Sequence, residues 1–301
     1  MTQFESFMSG WGWAVFCLVS AFFSAGVSLI NQYMKQPGHF LVFWSRVWVV
    51  LVLAPLIAQM TMPTDPLFYG AVLLTALLGV TADIRTFNVA ARYGGGVVLR
   101  VQPLIVFLSF FLWFFFDPHM LGKYIAHPFN TAGILVALLG CAYFSARLRK
   151  CHISRAAFTE MLPVRVCYSL TTVLGKYAMT HGPLTGAVYG YMFAQSAIGA
   201  AMIGGYSIWL EGKPLPAPVV WRTKKMLIAS LLAGFGWILS MTFKNYAMAF
   251  IPNPSYQAAI NQTSPVFVAI FYWLVKHKEE ADVASGMGVV ASATLLALMA
   301  V

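Results

Sequence analysis

Charge is what this sequence has least of. Charged residues fill 9 % of its 301 positions, where a soluble domain carries about 25 %. Acidic side chains are the scarcer kind, nine Asp and Glu against nineteen Lys and Arg. With apolar types at 60 %, the chain lacks the polar surface that a soluble globular domain must show to water. Lipid is the solvent that resolves the conflict. Cysteine is sparse as well: Cys17, Cys141, Cys151 and Cys167 form no CxxC pair, which argues against a disulfide framework or a thiolate metal site. His39, His119, His127, His152, His181 and His277 fall in or near loops without ligand spacing. No metal and no cofactor is expected. Nothing resembles a nucleophile with its base near one interface, so an enzyme is not expected either. The net charge of +10 has no soluble basic domain to present it to nucleic acid. The Met1–Gly10 stretch has no basic n-region and the apolar run after it is long enough to span, so a cleavable signal peptide is not expected.

What is present is a series of apolar runs. A helix needs about 20 apolar residues to cross the hydrocarbon core. The runs predict ten such helices: Trp11–Tyr33, Phe40–Met60, Leu67–Arg92, Gly95–Phe116, Thr131–Ala146, Ala156–Met179, Leu184–Leu210, Met226–Phe250, Ser255–Val275 and Ala281–Val301. The loops after the odd-numbered helices hold Lys35, Arg92, Arg147, Arg149, Lys150, Arg155, Lys213, Arg222, Lys224, Lys225, Lys276 and Lys278, while the other face holds Lys123. That imbalance places the odd loops in the cytoplasm and both termini outside it, in an inner membrane.

The ten segments repeat. Gly79 and Asn88-Val-Ala-Ala-Arg-Tyr93 recur 157 residues later as Gly236 and Asn245-Tyr-Ala-Met-Ala-Phe250. Val101-Gln-Pro103 and Thr263-Ser-Pro265 each precede an aromatic-rich run. The fifth segment carries Gly133 and Gly140, the tenth Gly286, Gly288 and Ser292. Five is odd, so the second copy must enter the membrane from the opposite side. The expected architecture is an all-α membrane protein, ten transmembrane helices as two inverted five-helix repeats around a central cavity, residues 1–147 and 156–301. With these residues the chain resembles the drug/metabolite transporter superfamily, in its ten-helix EamA-like branch. The segment Trp273-Leu-Val-Lys-His-Lys-Glu-Glu280 leading into Gly286-Met-Gly288 adds to the likeness, since the family places an acidic residue just before a Gly-spaced last helix and Glu279 or Glu280 fits there. The first repeat departs from this at Asp117-Pro-His-Met. The resemblance implies secondary transport of a small molecule by alternating access.

Ionisable residues inside a span are costly and face the bundle interior by default. Leaving aside Arg92 and Asp282 at the very ends of their spans, eight lie within the predicted spans, six basic and two acidic: Arg46, Asp83, Arg85, Arg100, Glu160, Arg165, Lys176 and Lys244. Asp83 falls roughly 14 Å from the cytoplasmic end of its helix, and Arg46 and Arg100 about 8–9 Å in from the same side. Lys244 enters about 9 Å from the outer end. Glu160 and Lys176 lie within about a turn of helix ends, where a long side chain snorkels. Asp83 and Arg85, two positions apart, do not face each other; Arg46, Arg100 or Arg165 is the better partner for Asp83. Pro55, Pro103, Pro163 and Pro265 lie inside spans and kink them or expose carbonyls. Asn261 and Gln262 make the ninth helix polar, either lining a cavity or bonding a neighbouring helix.

An excess of guanidinium at membrane depth points to an anionic ligand, because the planar fork of Arg grips carboxylate or phosphate through two bonds. The expected site is therefore Arg46, Arg85, Arg100 and Arg165 on the anionic group, Lys244 on the outer side, and Asp83, Asn261 and Gln262 alongside. Asp83 would take an amine of the substrate or a coupling proton. The rival expectation is an exporter of cationic, amino-acid or aromatic compounds with Asp83 as its key residue. The partners expected are a small-molecule substrate and membrane lipid, with coupling to a proton or a counter-substrate left open.

Overall fold

The computed structural model describes residues 3–34, 38–93, 101–148, 155–211, 224–274 and 282–300, and these are 90 % helical with no strand among them. The first helix, α1 (Gln3–Phe7), runs through a π-turn (Met8–Gly12) into α2 (Trp13–Met34). Gly10 leaves helical geometry there, at φ −88° and ψ −114°. Then come α3 (Gly38–Ile57), α4 (Pro66–Tyr93), α5 (Leu104–Phe116), α6 (His119–Ala126) and α7 (Pro128–Arg147). The second half holds α8 (Arg155–Met179), α9 (Leu184–Glu211), α10 (Lys224–Phe250), α11 (Pro254–Asn261), α12 (Ser264–Leu274) and α13 (Val283–Ala300).

Helix lies under each of the ten predicted segments. Two details differ from expectation. The first helix starts before Trp11, in α1. The segment after Phe116 is not a simple loop but the short helix α6, bent by 114° against α5. The fourth and ninth segments are each interrupted, at Gln102–Pro103 and at Gln262–Thr263, beside the Pro103 and Pro265 expected to kink them. Proline supplies no backbone donor, and the chain tightens to i→i+3 bonds at both places: Ile105 N to Gln102 O at 3.0 Å, and Thr263 N to Ile260 O at 2.9 Å.

Among the described residues, six helical stretches are long and apolar enough to cross a membrane: Gln3–Ile30, His39–Ile57, Pro66–Thr86, Pro128–Arg147, Lys224–Phe250 and Val283–Ala300. The bent pair α5–α6, counted as one span, brings the number to seven. Those that fall short include α8, with its buried Arg165 and Lys176, and the interrupted α11–α12. The outer surface is apolar: Phe115, Phe129 and Trp273 leave 82 %, 91 % and 77 % of their area uncovered, an arrangement suited to lipid and not to water.

Packing is between distant parts of the chain. α2 lies along α10, α4 along α8, and α3 against both α9 and α10. α9 also meets α4; α5 meets α8 and α11; α2 meets α11 and α12. α7 and α13 pair with each other at one side. The backbones of that last pair approach closely because small residues line it. A methyl group on Gly140 would collide with the Ser292 hydroxyl, the arrangement by which small residues bring helices together in lipid. Cys17 and Cys141 are buried and Cys167 half-buried, all three as free thiols; Cys151 is outside the described residues.

Candidate functional site

The deepest charged residues of three helices meet where α3, α4, α8 and α9 come together. Arg46 of α3 is buried, 8 % exposed. Its Nη2 donates to Oδ2 of Asp83 on α4 at 2.7 Å. Its Nη1 donates to the backbone carbonyl of Gln195 on α9 at 3.3 Å. The other carboxylate oxygen of Asp83, Oδ1, accepts from the hydroxyl of Tyr168 on α8 at 2.7 Å. Thr86, one turn beyond Asp83 on the same face of α4, lies 3.3 Å from the Tyr168 hydroxyl. Because that hydroxyl gives its proton to Asp83, Thr86 is the donor of this bond.

Helical spacing explains the grouping. Arg165 and Tyr168 are three apart and share a face of α8, and the Arg165 guanidinium carbon lies 5.7 Å from the centre of the Tyr168 ring. Arg165 is 3 % exposed. Tyr191 approaches Arg46 from α9. Room for the Arg46 guanidinium exists only because residue 199 is glycine: a Cβ there would overlap the guanidinium. Asp83 thus has both oxygens engaged, one by a cation from the first half of the chain and one by a hydroxyl from the second.

Of the predicted site residues, the structure brings together Arg46, Asp83 and Arg165. Arg85 is not with them. It is exposed, since two positions along a helix turn the side chain through about 200°, and among the described residues it makes no ion pair. Arg100 lies outside the described residues, as do Glu279 and Glu280. Lys244 is half-buried on α10, within electrostatic range of the Cys17 thiol on α2, and among the described residues its ammonium makes no hydrogen bond or ion pair. Gln262 is 2 % exposed and is spent on structure: its Oε1 accepts from the Ser145 hydroxyl of α7 at 3.0 Å and its Nε2 donates to Ala258 O at 3.3 Å. Asn261 is half-buried at the same interruption, its Oδ1 without a hydrogen bond among the described residues. Lys176 does not snorkel. It is 5 % exposed and donates to Ala249 O on α10 at 3.3 Å. Glu160 is exposed.

Tyr168, Thr86 and Gln195 were not foreseen, whereas Gly199 belongs to the Gly-rich pattern Gly199…Gly204-Gly205 that reads as close helix packing. The signal for Tyr168 was its spacing from Arg165, and for Thr86 its spacing from Asp83. A second polar junction sits 157 residues on from Asp83. There Ser240 of α10 meets α2, with its hydroxyl 2.7 Å from that of Ser24, 3.2 Å from that of Ser20, and 3.1 Å from Ser20 O.

Neither a protein-family model nor a curated protein sequence matches the chain. Among solved structures 27 chains match it. One, the crystal structure of a protein with 15 % identity, superposes with a TM-score of 0.70 over 96 % of this chain and 97 % of its own. At that identity the likeness shows the fold alone: this helical bundle, over its whole length, is an architecture that another protein also adopts.

Proposed function

We propose that the chain is a secondary transporter that moves a small anionic metabolite across the inner membrane by alternating access. Its ten helical segments are read as ten spans in two inverted repeats, with both termini outside the cytoplasm. The packing supports the repeat. Exchange α2 with α8, α3 with α9, α4 with α10, α5 with α11–α12, and α7 with α13. The α2–α10 pair then becomes α8–α4, α3–α10 becomes α9–α4, and α5–α8 becomes α11–α2. The pairs α3–α9, α5–α11 and α7–α13 map onto themselves. A two-fold relation between halves requires that pattern, and an odd number of helices per half makes the relation an inversion. Two similar half-bundles of opposite orientation can rock about a shared midplane site.

The observation that carries the choice of substrate is the buried guanidinium of Arg46, set with Arg165 at the junction of the two halves. Arg presents paired donors matched to carboxylate and phosphate. Away from the span ends, in-span charge is six basic to two acidic in the sequence. The carboxylate that a cationic substrate would need, Asp83, is already held by Arg46 and Tyr168, which weighs against the amine reading. The resemblance to the drug/metabolite transporters agrees with transport and leaves the substrate to the site. The test is counterflow in proteoliposomes against a panel of phosphate esters, carboxylates and amines. We expect uptake of one anionic group of compounds, lost in Arg46→Gln and in Arg165→Gln while the protein still inserts. Uptake of amines only, unchanged in Arg46→Gln, overturns the reading.

A further inference from the structure

We infer that Asp83 is an internal stand-in for the transported anion, and that the chain therefore carries its substrate together with a proton. The inference rests on the anion-site reading above and concerns what that site does when it is empty. The Arg46 fork is not vacant: an internal carboxylate fills it at 2.7 Å. A substrate anion that binds Arg46 must displace that carboxylate or share the guanidinium with it. Two anions on one buried cation repel strongly where water is scarce. A carboxylate beside a second carboxylate or phosphate responds by taking up a proton.

The contacts allow that exchange without dismantling the site. When a proton from the open side forms an O–H bond at Oδ2 of Asp83, the carboxyl becomes neutral and no longer requires Arg46. Its Oδ1 still accepts from Tyr168, itself held by Thr86, so the carboxyl stays on the α8 side. Arg46 keeps its bond to Gln195 O and turns its freed Nη2 to the substrate. The charge balances: Arg46 with ionised Asp83 is neutral, and so is Arg46 with protonated Asp83 and one bound negative charge. Each substrate charge accepted by Arg46 thus brings one proton, and the two travel together.

Around Asp83, Arg46 comes from α3. Tyr168 comes from α8, with Arg165 over its ring. On α9, Gln195 O and Tyr191 face Arg46. On α4 itself Arg85 points away.

The test uses the purified full chain and methanesulfonate, a monoanion at every pH used, so that any pH dependence belongs to the protein. Calorimetry at pH 5.5 and 7.5 should show tighter binding at the lower pH, by up to about tenfold per pH unit. In weak buffer with a pH dye, binding should draw about one proton from solution per anion bound. Asp83→Asn, which cannot be ionised, should bind equally at both pH values, at least as tightly as the parent at pH 5.5, and draw no proton. Arg46→Gln should bind at neither. Should Asp83→Asn fail to fold, the proton count on the parent protein alone decides. Equal binding at both pH values with no proton drawn overturns the exchange and leaves the anion site standing. Absence of binding by the parent and by Asp83→Asn at both pH values overturns the anion site itself, and the exchange with it.

Discussion

The Arg46–Asp83 pair makes a prediction whose size separates a buried, working ion pair from a solvated one. Removing one member leaves the other without its counter-charge. That costs about 3–5 kcal/mol in a fully buried pair and about 0–1 kcal/mol at a surface. The Arg46 side chain is 10 % exposed and that of Asp83 25 %. The pair therefore lies near the buried limit, discounted for the part of the carboxylate that water still reaches. We expect Asp83→Asn and Arg46→Met each to cost about 2.5 kcal/mol. Asn keeps an acceptor for Tyr168, so the first variant isolates charge. The double variant buries neither charge and loses only hydrogen bonds and packing, about 2 kcal/mol. The cycle then returns a coupling of about 3 kcal/mol, the upper range for residues in contact. Unfolding of the four proteins from lipid bicelles, followed by steric trapping, measures it. Additive effects within about 0.5 kcal/mol refute the reasoning, because they would mean that water or another group already compensates Arg46.

Other perturbations probe neighbouring contacts. Gly199→Ala places a methyl on the Arg46 guanidinium and should cost about 1–3 kcal/mol by overpacking; in an Arg46→Met background most of that penalty should vanish, which thermal unfolding of both pairs checks. Tyr168→Phe removes a hydrogen bond to a charged group, worth about 1.5–3 kcal/mol, and should loosen α8 from α4 with no change in the α2–α10 pair, as read by residue-resolved hydrogen exchange. Asp282 precedes α13 and caps it: Oδ2 accepts from the Ser285 hydroxyl at 2.6 Å and Oδ1 from Ala284 N at 3.2 Å. The Ser285 bond above all holds its carboxyl below the usual range. A lowered value in the folded state means that the cap contributes above the ordinary carboxylate pKa and is lost as pH falls through the folded one. Exchange at the first turn of α13 should rise on acidification, and in Asp282→Ala it should be fast at every pH.

Helix positions were legible because lipid demands continuous apolar runs, and the runs here are bounded by Pro, Gly and basic residues. Three places escaped that logic. The helix α6 contains Lys123 and Tyr124 and is too short and polar to register as a span, yet it packs Tyr124 against Tyr256, hydroxyl to hydroxyl at 2.7 Å. The interruptions at Gln102 and Gln262 fall just before or inside apolar stretches, where composition is silent and only the absent proline donors hint at a break. Arg85 lies only two residues shallower than Asp83, so both carry the cost of a charge within the span. Only the rotation of α4 decides that one faces α3 and α8 and the other faces outward. Lys176 illustrates the reverse error. Its place near a helix end suggested an escape to the interface, whereas the carbonyl of Ala249 on another helix was there to receive it. Partners contributed across helices are invisible until the packing is known.

The two polar junctions differ in kind, and the difference has a direction. Asp83 ties α4 to α8 with a charged hydrogen bond and holds Arg46 of α3 as well. Its counterpart 157 residues on, Ser240, ties α10 to α2 with hydroxyls alone. Hydrogen bonds that involve a charge are about twice as strong as neutral ones, and hydroxyl contacts between membrane helices average about 0.6 kcal/mol. If the halves are inverted as proposed, separating α4 from α8 and separating α10 from α2 would be the same motion seen from opposite sides. Equal junctions would leave the two states equal in energy. Unequal ones would make separation at Asp83 the harder step by the difference between a charged and a neutral contact. On the proposed reading, that difference is what a proton on Asp83 and an anion on Arg46 together remove, since a neutral carboxyl on Tyr168 resembles the serine junction in strength. The apo protein would then rest with the Asp83 junction closed, and loading the site would bring the two sides toward balance, so that the loaded carrier reorients more readily than the empty one.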